Sequence, residues 1–421
     1  MSLLLALWAA GATGGRLLAV AKLTSLFSGR WRLDPLPPAA RGGEDGAGDP
    51  AGGGMRLSVC VPARDESAVI GRLLASLDAQ DLAGMEVIVV DDRSSDGTGD
   101  IARGHRCTVI DGVEPPDGWL GKNWALHQAV AASTGEFLLF VDADTWHDPA
   151  ACRTVVEAIR RLEADVLVVL GGQRVESWAE RLVQPFFWSL LLSLFNPERA
   201  EDPRFPDDAM GNGQFACFRR DAYFRAGGHQ AVRDRIVEDV ALVRELKRAG
   251  GRYAVRVGPS VTTTHMYRGL GELWRGFTKN AAVVDPDRKA LSVTLTGAAV
   301  VLVFQAELWP WLVLGLATVA DPVTADGGMG WLAGFRASSV TSPAILAAAG
   351  VQLAAIFAGR FLVYRHLCDA PSGVRLSRHP LAYMLQPLGA AVGLASMVAS
   401  LLTQLGGHTR WKGRRVRARS L

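Results

Sequence analysis

The nine-residue stretch FLLFVDADT, residues 137–145, constrains the fold of this chain more than any other part of its sequence. Five consecutive apolar residues, 137–141, are followed by Asp142 and Asp144 with one small residue between them. An unbroken apolar run of this length is typical of a strand that is buried on both faces of a parallel sheet. Ligands of open α/β sheets bind beyond the carboxyl ends of such strands, so both acids stand where a ligand is expected.

The two acids would repel each other unless a cation joined them. A hard divalent ion such as Mg²⁺ or Mn²⁺, itself bound to substrate phosphate, is the natural partner of such oxygen ligands. Asp144 and Asp142 are therefore candidate metal ligands. An acidic loop after a strand is the alternative, and the triplet by itself is weak evidence for a metal site.

Strand and helix patterns alternate from residue 57 onward. Short apolar runs precede the polar segments PARDE, at 62–66, and DDRSSDGT, at 91–98, and a helical pattern follows each of them. This alternation is typical of an α/β fold with a right-handed, doubly wound, mostly parallel sheet and helices on both faces. The predicted strands are 57–61, 86–90, 107–110, 137–141 and 166–170.

The first 26 residues are mostly apolar and long enough to span a bilayer, although glycines and Arg16 interrupt them. We expect a membrane anchor at 1–26. The alternative is a signal peptide, which is less favoured because no basic region precedes the apolar run. Residues 27–54, rich in Pro, Gly and Ala from 34 onward, are expected to form a flexible linker.

The C-terminal part of the chain has the composition of a membrane region. Residues 266–290 form a basic and aromatic amphipathic segment, expected at the membrane interface, and residues 406–421 form a basic tail. The positive-inside rule places both the tail and the basic link 364–380 in the cytosol. The tail and this link cannot both lie in the cytosol if the last apolar segment crosses the membrane once. The Pro and Gly residues of that segment could instead let it enter the membrane and return to the same side. The segments long enough to cross are 291–319, 340–362 and 381–405, within a transmembrane region at 291–405.

Charge and cysteine content argue against several classes of protein. A formal net charge of +3, without a stripe of aromatic and basic residues, argues against a nucleic-acid partner. The five cysteines are dispersed without C-x-x-C spacing, which argues against a disulfide framework or a zinc site. Because a reducing environment suits them, we expect a multi-pass protein of the cytoplasmic membrane whose α/β domain faces the cytosol.

Two later segments have helical patterns with more than one interpretation. In VEDVALVRELKRA, residues 237–249, Glu238 and Asp239 stand in the first turn, where acids suit the helix dipole and simple capping explains them. The segment 178–195 has an aromatic face that could lie in the membrane interface, line an acceptor groove or belong to a core.

The motifs VPARDE, VVDDRSSDGT, the DAD after a strand and IVEDVAL stand in this order along the chain. Together they resemble family 2 glycosyltransferases of the GT-A fold, and the C-terminal apolar segments fit the membrane-embedded subset. The loop PPDGWLGKNWALHQA and the WKGR near the end are similar to hopanoid-associated glycosyltransferases and to their carotenoid and ceramide glycosyltransferase relatives. The resemblance covers residues 57–280 strongly, and it is specific for fold and reaction class rather than for the lipid.

The resemblance implies an inverting, hexosyltransferase-like glycosyltransferase with its catalytic domain at 55–265. The implied reaction moves a sugar from a nucleotide-sugar, expected to be UDP-linked, to a membrane lipid such as a hopanoid or another polyisoprenoid. A carotenoid, a ceramide or a polyprenyl phosphate is the alternative acceptor. Because departure of the diphosphate requires charge neutralisation by a metal and a cation, Mg²⁺ or Mn²⁺ is the expected cofactor.

The resemblance also assigns residues to the nucleotide-sugar. Asp144 would bind the metal directly, and Asp142 would contact the metal or the ribose. Asp92 would read the base, with Asp91 beside it. Lys122, in a glycine-rich turn before a helix, could reach the base or the diphosphate, or could be an exposed lysine. The turn that would hold the nucleotide contains Pro62, Ala63, Arg64 near the base and Glu66 near the ribose.

A single displacement needs a base that takes the proton of the acceptor hydroxyl. The family places this base in the E-D pair, so Asp239 is the expected base and Glu238 its close neighbour. Processive members carry Q-x-x-R-W, whereas this chain has GELWRGF at 271–277, with Trp and Arg in reversed order. This difference argues against a polymer-threading synthase. Arg275 could still contact the diphosphate, and His265 is expected to be structural.

Two other classes of function stay open. Nucleotidyl transfer on the same sheet would release pyrophosphate, although the E-D helix and the apolar segments argue against it. An inactive membrane scaffold is the third class, and the intact acids at three strand ends argue against it. Turnover of a UDP-sugar to UDP in a membrane fraction, with or without a divalent metal, would separate these classes.

Overall fold

The computed structural model describes residues 2–37, 56–280, 289–323, 342–405, 409–411 and 414–416. The predicted linker beyond residue 37 and most of the basic tail lie outside the described residues. The strands are β1 (Leu57–Ala63), β2 (Met85–Asp91), β3 (Thr108–Asp111), β4 (Phe137–Phe140), β5 (Thr145–His147), β6 (Val166–Leu170), β7 (Gly172–Gln173), β8 (Ala216–Arg219), β9 (Tyr253–Val257), β10 (Thr262–Thr264), β11 (Thr409–Trp411) and β12 (Arg414–Val416).

Helices lie between the strands and follow them toward the C-terminus. They are α1 (Ser2–Leu26), α2 (Ile70–Asp78), α3 (Thr98–Arg103), α4 (Gly121–Ala132), α5 (Ala151–Arg161), α6 (Trp178–Leu194), α7 (Pro197–Glu201), α8 (Arg220–Arg225), α9 (Gly228–Ala231), α10 (Glu238–Arg248), α11 (Leu270–Asn280), α12 (Lys289–Glu307), α13 (Trp309–Val323), α14 (Pro343–Val363), α15 (Asp369–Ser372), α16 (Pro380–Met384) and α17 (Gln386–Leu405).

Seven strands form the main sheet in the order β3-β2-β1-β4-β8-β6-β9. All neighbours are parallel except β8, which runs antiparallel to β4 and β6. The chain builds β1, β2 and β3 toward one edge and then places β4 on the other side of β1. The predicted α/β class with a mostly parallel, doubly wound sheet is therefore confirmed, and the gap between β1 and β4 is its topological switch point.

Each face of the sheet has its own hydrophobic core. Because successive side chains of a strand point to opposite faces, Phe137 and Leu139 pack on one side of β4 while Leu138 and Phe140 pack on the other. Helices α2 and α5 cover the first face, and α4 and α10 cover the second. The uninterrupted apolar run of β4 thus reflects burial on both faces.

The segment after α1 packs against the main sheet over residues 29–33, although this segment belongs to the predicted linker. Trp31 is buried in a 3₁₀ turn, and Leu33 donates its N–H to the carbonyl of Val257 at 2.9 Å. The N–H of Leu36 donates to the hydroxyl of Thr154 at 2.9 Å. The chain between α1 and residue 37 is therefore joined to β9 and α5.

Within the part of the chain that the structure describes, two helical segments are long and apolar enough to cross a membrane, α14 with its continuation to Ser372 and α17. Helices α12 and α13 are bent by 44° where they meet, so they form either one broken span, which would be a third, or a re-entrant loop. The N-terminal helix α1 runs along α14. The predicted anchor at 1–26 is thus a helix, and its membrane crossing stays a prediction.

Glycines of α17 permit close helix packing. A side chain at Gly389 would overlap the backbone of Leu182 on α6, and one at Gly393 would overlap the ring of Phe186. Because α17 is one uninterrupted helix, the described residues do not contain the turn that a re-entrant segment would need here. Helix α6 therefore packs in a core along most of its length, although Leu194 at its end is exposed.

We predict that the full-length chain stays in the membrane pellet after washing with alkaline carbonate and after washing with high salt. The apolar surfaces of α14 and α17 would be exposed to water if the chain were released. Immunoblotting of pellet and supernatant measures the outcome, with a charge-bound peripheral protein as the released control. Recovery of the full-length chain in the supernatant would contradict the assignment of these helices to the membrane.

Candidate active site

Polar side chains gather where β1, β2 and β4 end, at the switch point of the sheet. Pro62 and Ala63 end β1, Asp91 ends β2, and Asp142 follows β4. Because these three strands are parallel neighbours, their carboxyl ends meet at one edge. The sequence predicted this grouping, and the structure brings these residues to the same edge.

The turn after β4 is held by a small second sheet with the order β5-β10-β7. The Thr145 hydroxyl donates to the carbonyl of Asp142 at 2.8 Å. The N–H of His265, just after β10, donates to the carbonyl of Asp144 at 3.1 Å. The backbone between the two acids is therefore fixed from both sides, so their carboxyl groups project from a rigid turn.

Lys122 joins this turn to the start of α10. Its ammonium lies 2.7 Å from Oδ1 of Asp142 and 2.8 Å from Oε1 of Glu238. Burial favours the neutral amine, but the two carboxylates hold the pKa of Lys122 well above its ordinary value. Lys122 is thus a paired lysine in the first turn of α4, rather than the exposed lysine that was the alternative, and its contact with the base or the diphosphate stays a prediction.

Asp239 and Glu238 occupy the first turn of α10, as predicted, but their surroundings differ. The Asp239 carboxyl accepts the N–H groups of Gly213 at 2.9 Å and of Val240 at 2.8 Å. Burial beside Glu238 raises the pKa of Asp239 to about 6. Burial also opposes ionisation of Glu238, but the Lys122 ammonium lowers the pKa of that carboxyl below its ordinary value. One acid of the pair is therefore held ionised while its neighbour is basic enough to accept a proton near neutral pH.

Two glycines of the loop before β8 make this arrangement possible. A side chain at Gly211 would overlap the backbone of Asp239 and Val240, so only glycine lets the loop approach the start of α10. A Cβ at Gly213 would lie 2.9 Å from the Lys122 ammonium. Gly213, Asp142, Glu238 and Asp239 line one cavity.

Asp144 has a buried carboxyl oxygen, Oδ1, without a hydrogen-bond partner. Burial raises the pKa of Asp144 to about 7, and the nearby charges of Asp142 and Glu66 add to the increase. A cation at this place would favour the ionised carboxylate and give its free oxygen a partner. The described residues contain no group of three or more metal-ligating side chains, so the protein alone would supply few ligands. That donor set fits Mg²⁺ or a similar ion, which is commonly held by one or two carboxylates together with substrate phosphates and water.

The residues expected at the nucleotide base form a separate group at the end of β2. Arg64 approaches the buried carboxylate of Asp92 at 3.3 Å, and Arg93 approaches the same carboxylate at 3.5 Å. Asp91 instead accepts the N–H of Ser94 at 3.0 Å within its own loop. Asp92 and Arg64 thus lie together as predicted, whereas Asp91 stabilises the turn that follows it.

Arg275 is exposed on α11 rather than buried among these acids. The expected contact of Arg275 with the diphosphate stays a prediction. His265, expected to be structural, lies 3.1 Å from the buried carboxylate of Glu180 through its Nε2. That pair connects α6 to the residue next to Asp144.

Three residues near the site were missed in the sequence. His229 lines the same cavity as Asp239, and burial lowers its pKa to about 3, so it is neutral. Tyr267 is close enough to Asp144 that the carboxyl charge, together with burial, raises the pKa of the phenol. For Gly213 the signal was present in the Gly-Asn-Gly sequence, whereas for the two ring side chains no motif pointed to them.

Known proteins resemble this chain over about half of its length. The curated relatives include the 4,4'-diaponeurosporenoate glycosyltransferases of Staphylococcus aureus strains USA300 and N315, each 29% identical over 228 residues. The alignment covers 53% of this chain and 60% of each relative, so the chain spans less than two thirds of their length.

Solved structures give more distant likenesses. The mannosyltransferase PcManGT from Pyrobaculum calidifontis, in complex with GDP-Man and Mn²⁺, is 18% identical with a TM-score of 0.48, covering 96% of this chain and 99% of that one. Glucosyl-3-phosphoglycerate synthase from Mycobacterium tuberculosis, in complex with Mn²⁺ and UDP-glucose, is 24% identical with a TM-score of 0.36, covering 52% and 74%. Residues 58–225 match the family model described as Glycosyl transferase family 2.

Proposed function

We propose that this chain is an inverting glycosyltransferase that moves a sugar from a UDP-linked nucleotide-sugar to a membrane lipid. The observation that carries the proposal is the acid cluster at the switch point. Asp142, Asp144, Glu238 and Asp239 share one neighbourhood with a single ammonium, that of Lys122. The match of residues 58–225 to family 2 glycosyltransferases supports the same reaction class.

The donor would lie across the ends of β1, β2 and β4. Asp92, Arg64 and the turn from Pro62 to Glu66 would hold the nucleoside, with the base near Asp92. Asp144 and Asp142 would hold Mg²⁺ or Mn²⁺, which supplies charge neutralisation to the diphosphate when bound. The ammonium of Lys122, already at this edge, would supply the second positive charge.

The acceptor hydroxyl would be deprotonated by Asp239. Its oxygen attacks the anomeric carbon, the bond from that carbon to the diphosphate oxygen breaks, and the electron pair leaves with UDP. The proton passes to Asp239, whose orientation is fixed by the N–H groups of Gly213 and Val240. Because attack and departure occur on opposite faces of the sugar, the anomeric configuration inverts.

The acceptor is proposed to be an apolar lipid because the domain is followed by helices that can cross a membrane. The Staphylococcus aureus relatives are named for transfer to 4,4'-diaponeurosporenoate, which supports a carotenoid-like acceptor. A hopanoid or another polyisoprenoid is the acceptor suggested by the sequence motifs, and a ceramide or polyprenyl phosphate is the alternative. The domain would face the cytosol, where nucleotide-sugars are made.

We predict that Asp144→Asn abolishes turnover of a UDP-sugar to UDP while the fold is kept. The amide cannot supply the charge that a divalent ion needs from this buried position. EDTA should remove wild-type activity, and Mn²⁺ or Mg²⁺ should restore it. UDP release in membranes gives the measurement, and Asp100→Asn on the exposed face of α3 is the matched control. Full activity of Asp144→Asn in chelator would contradict a metal at this residue.

We predict that Asp239→Asn lowers the transfer rate by roughly two to four orders of magnitude, the usual range for loss of a general base. Affinity for UDP should change little, because the base acts on the acceptor. Asp221→Asn is the control, since Asp221 also stands in the first turn of a helix but outside the cavity. If Asp239 only caps its helix, the variant loses about 1 kcal/mol of stability and keeps its rate per folded molecule.

The proposed role of Asp239 as the general base also predicts how kcat/KM depends on pH. Since the pKa of Asp239 is raised to about 6, kcat/KM should fall as the pH is lowered through that value, because the protonated carboxyl cannot accept a proton. The profile is measured at saturating Mn²⁺ so that protonation of Asp144 does not limit the rate. A profile that is flat from about one pH unit below this value to about two units above it would show that Asp239 is not the base.

We predict that Lys122→Gln lowers the transfer rate by about 10² to 10³, the range for loss of one group that stabilises developing charge. Lys122→Arg keeps the positive charge and should retain more activity. Comparing the rates of both variants, together with their melting temperatures, separates a charge requirement from a loss of folding. Equal rates in the two variants would show that the charge at this position is not needed.

A further inference from the structure

An exposed apolar face lies on the α16 segment, residues 375–385, between the candidate membrane helices α14 and α17. Leu381, Met384 and Leu385 are 63%, 65% and 45% exposed. Their spacing of i, i+3 and i+4 places them on one face of α16 and the residue that caps it. Tyr383, between them in sequence, instead packs against the hydrophobic core. This short helix therefore has one side that the protein covers and one apolar side that is open.

The same segment carries a surplus of positive charge. Arg375 and Arg378 are exposed, and neither forms an ion pair with a carboxylate among the described residues. Asp369 is the only acid in the sequence between residues 364 and 388, and it is buried and accepts the N–H of Ser377 at 3.1 Å. Exposed arginines are ordinary on a protein surface, but these two directly precede the open apolar face of α16. The segment therefore joins uncompensated charge to apolar surface.

Hydrogen bonds hold the α16 segment in a defined position. The hydroxyl of Tyr383 donates to the carbonyl of Ser377 at 2.9 Å. Just before the segment, the hydroxyl of Ser372 accepts the N–H of Val175 at 3.0 Å. Val175 follows β7, which belongs to the small sheet that fixes the turn between Asp142 and Asp144. The open apolar face therefore has a fixed orientation relative to the α/β domain.

We propose that the α16 segment lies at a bilayer surface and binds anionic phospholipids. Its apolar side chains would lie among the upper parts of the acyl chains, and its arginines would contact the phosphate groups. Because α14 and α17 are each long and apolar enough to cross a membrane, the segment that joins them meets a bilayer surface. Exposed apolar side chains beside arginines are the composition of an interfacial segment. The inference rests on the membrane assignment of these helices and does not depend on the proposed function.

Charge favours a lipid over the other simple occupant of this face, a second copy of the chain. In a twofold symmetric contact the same patch lies on both sides of the interface. Arg375 and Arg378 of two copies would then face each other, and like charges across an interface are unfavourable. An anionic phospholipid instead supplies the opposite charge together with an apolar body, and a guanidinium group matches the geometry of its phosphate.

The first test measures lipid binding by the full chain in neutral detergent with native mass spectrometry. The probes are dioleoyl phosphatidylglycerol, which is anionic, and dioleoyl phosphatidylcholine, which has the same acyl chains and no net charge. We expect the wild type to bind phosphatidylglycerol roughly tenfold more tightly, since each arginine near an anionic headgroup adds severalfold to the affinity.

The double variant Arg375→Gln/Arg378→Gln should lose most of this preference, while its binding of phosphatidylcholine stays unchanged. Arg56→Gln/Arg161→Gln is the matched control, because it removes the same charge from exposed positions of the α/β domain. This control should keep the preference of the wild type.

The second test measures the depth of α16 in a bilayer and leaves both arginines in place, so it stays valid if the arginine variant does not fold. A bimane group is attached to Met384→Cys in a Cys107→Ser background, since the other four cysteines are buried. In vesicles that contain phosphatidylglycerol, brominated acyl chains should quench this label and aqueous iodide should not. The same label on Asp100→Cys, on the exposed face of α3, is the control and should show the opposite result.

Three results would overturn the proposal. The first is an equal affinity of the wild type for the two lipids, or an unchanged preference in folded Arg375→Gln/Arg378→Gln. The second is quenching by iodide that is as strong for the Met384→Cys label as for the Asp100→Cys label. The third is a dimer in neutral detergent that Leu381→Ser converts to a monomer, which would assign the apolar face to a second copy of the chain.

Discussion

The ion pairs of Lys122 are the interaction on which the candidate active site depends. One ammonium contacts Asp142, which follows a sheet strand, and Glu238, which begins α10. These two elements are distant in sequence, and without the lysine their acids would repel each other in a poorly solvated cavity. The absence of a side chain at Gly213 leaves room for the ammonium, and Gly211 lets the same loop reach the start of α10. The position of the proposed base thus follows from a charge pair and two glycines.

Unbalanced charge marks two polar regions of the molecule. At the switch point, one lysine faces the acids of two elements, and Asp144 keeps a buried oxygen without a partner. Among the helices the imbalance has the opposite sign, because Arg16 of α1 and Arg360 of α14 lie around the carboxylate of Glu307 at the end of α12. At the sheet, the proposed divalent cation would supply the positive charge that the acids lack.

The sequence was most informative where local pattern and burial agree. The apolar runs of β1, β2 and β4 were recognisable because strands buried on both faces carry no polar alternation, and the acids after them follow from strand ends meeting at one edge. The pairs of Lys122 could not be derived, because they depend on where α10 lies in three dimensions. The exposure of Arg275 on α11 could not be derived for the same reason, since a motif gives residue types but not the face that a helix turns outward.

Helix packing shows a related limit of sequence patterns. Glycine in an apolar segment suggested a place where α17 could turn back, yet Gly389 and Gly393 let that helix approach Leu182 and Phe186. A glycine permits both a turn of the chain and the close approach of two helices. Only the position of the neighbouring helix shows which of the two occurs. The burial of Trp31 could not be derived either, because the guanidinium of Arg256 that lies over its ring belongs to β9, more than two hundred residues away.

We have proposed that the acid cluster transfers a sugar to a lipid. The most direct test incubates the purified full chain with lipids extracted from its own membranes, Mn²⁺ and a set of UDP-sugars, and measures the masses of the lipids by mass spectrometry. We expect a lipid that gains the mass of one sugar residue, with UDP released in equal amount. Release of pyrophosphate in place of UDP, or release of UDP without any glycosylated lipid, would contradict it.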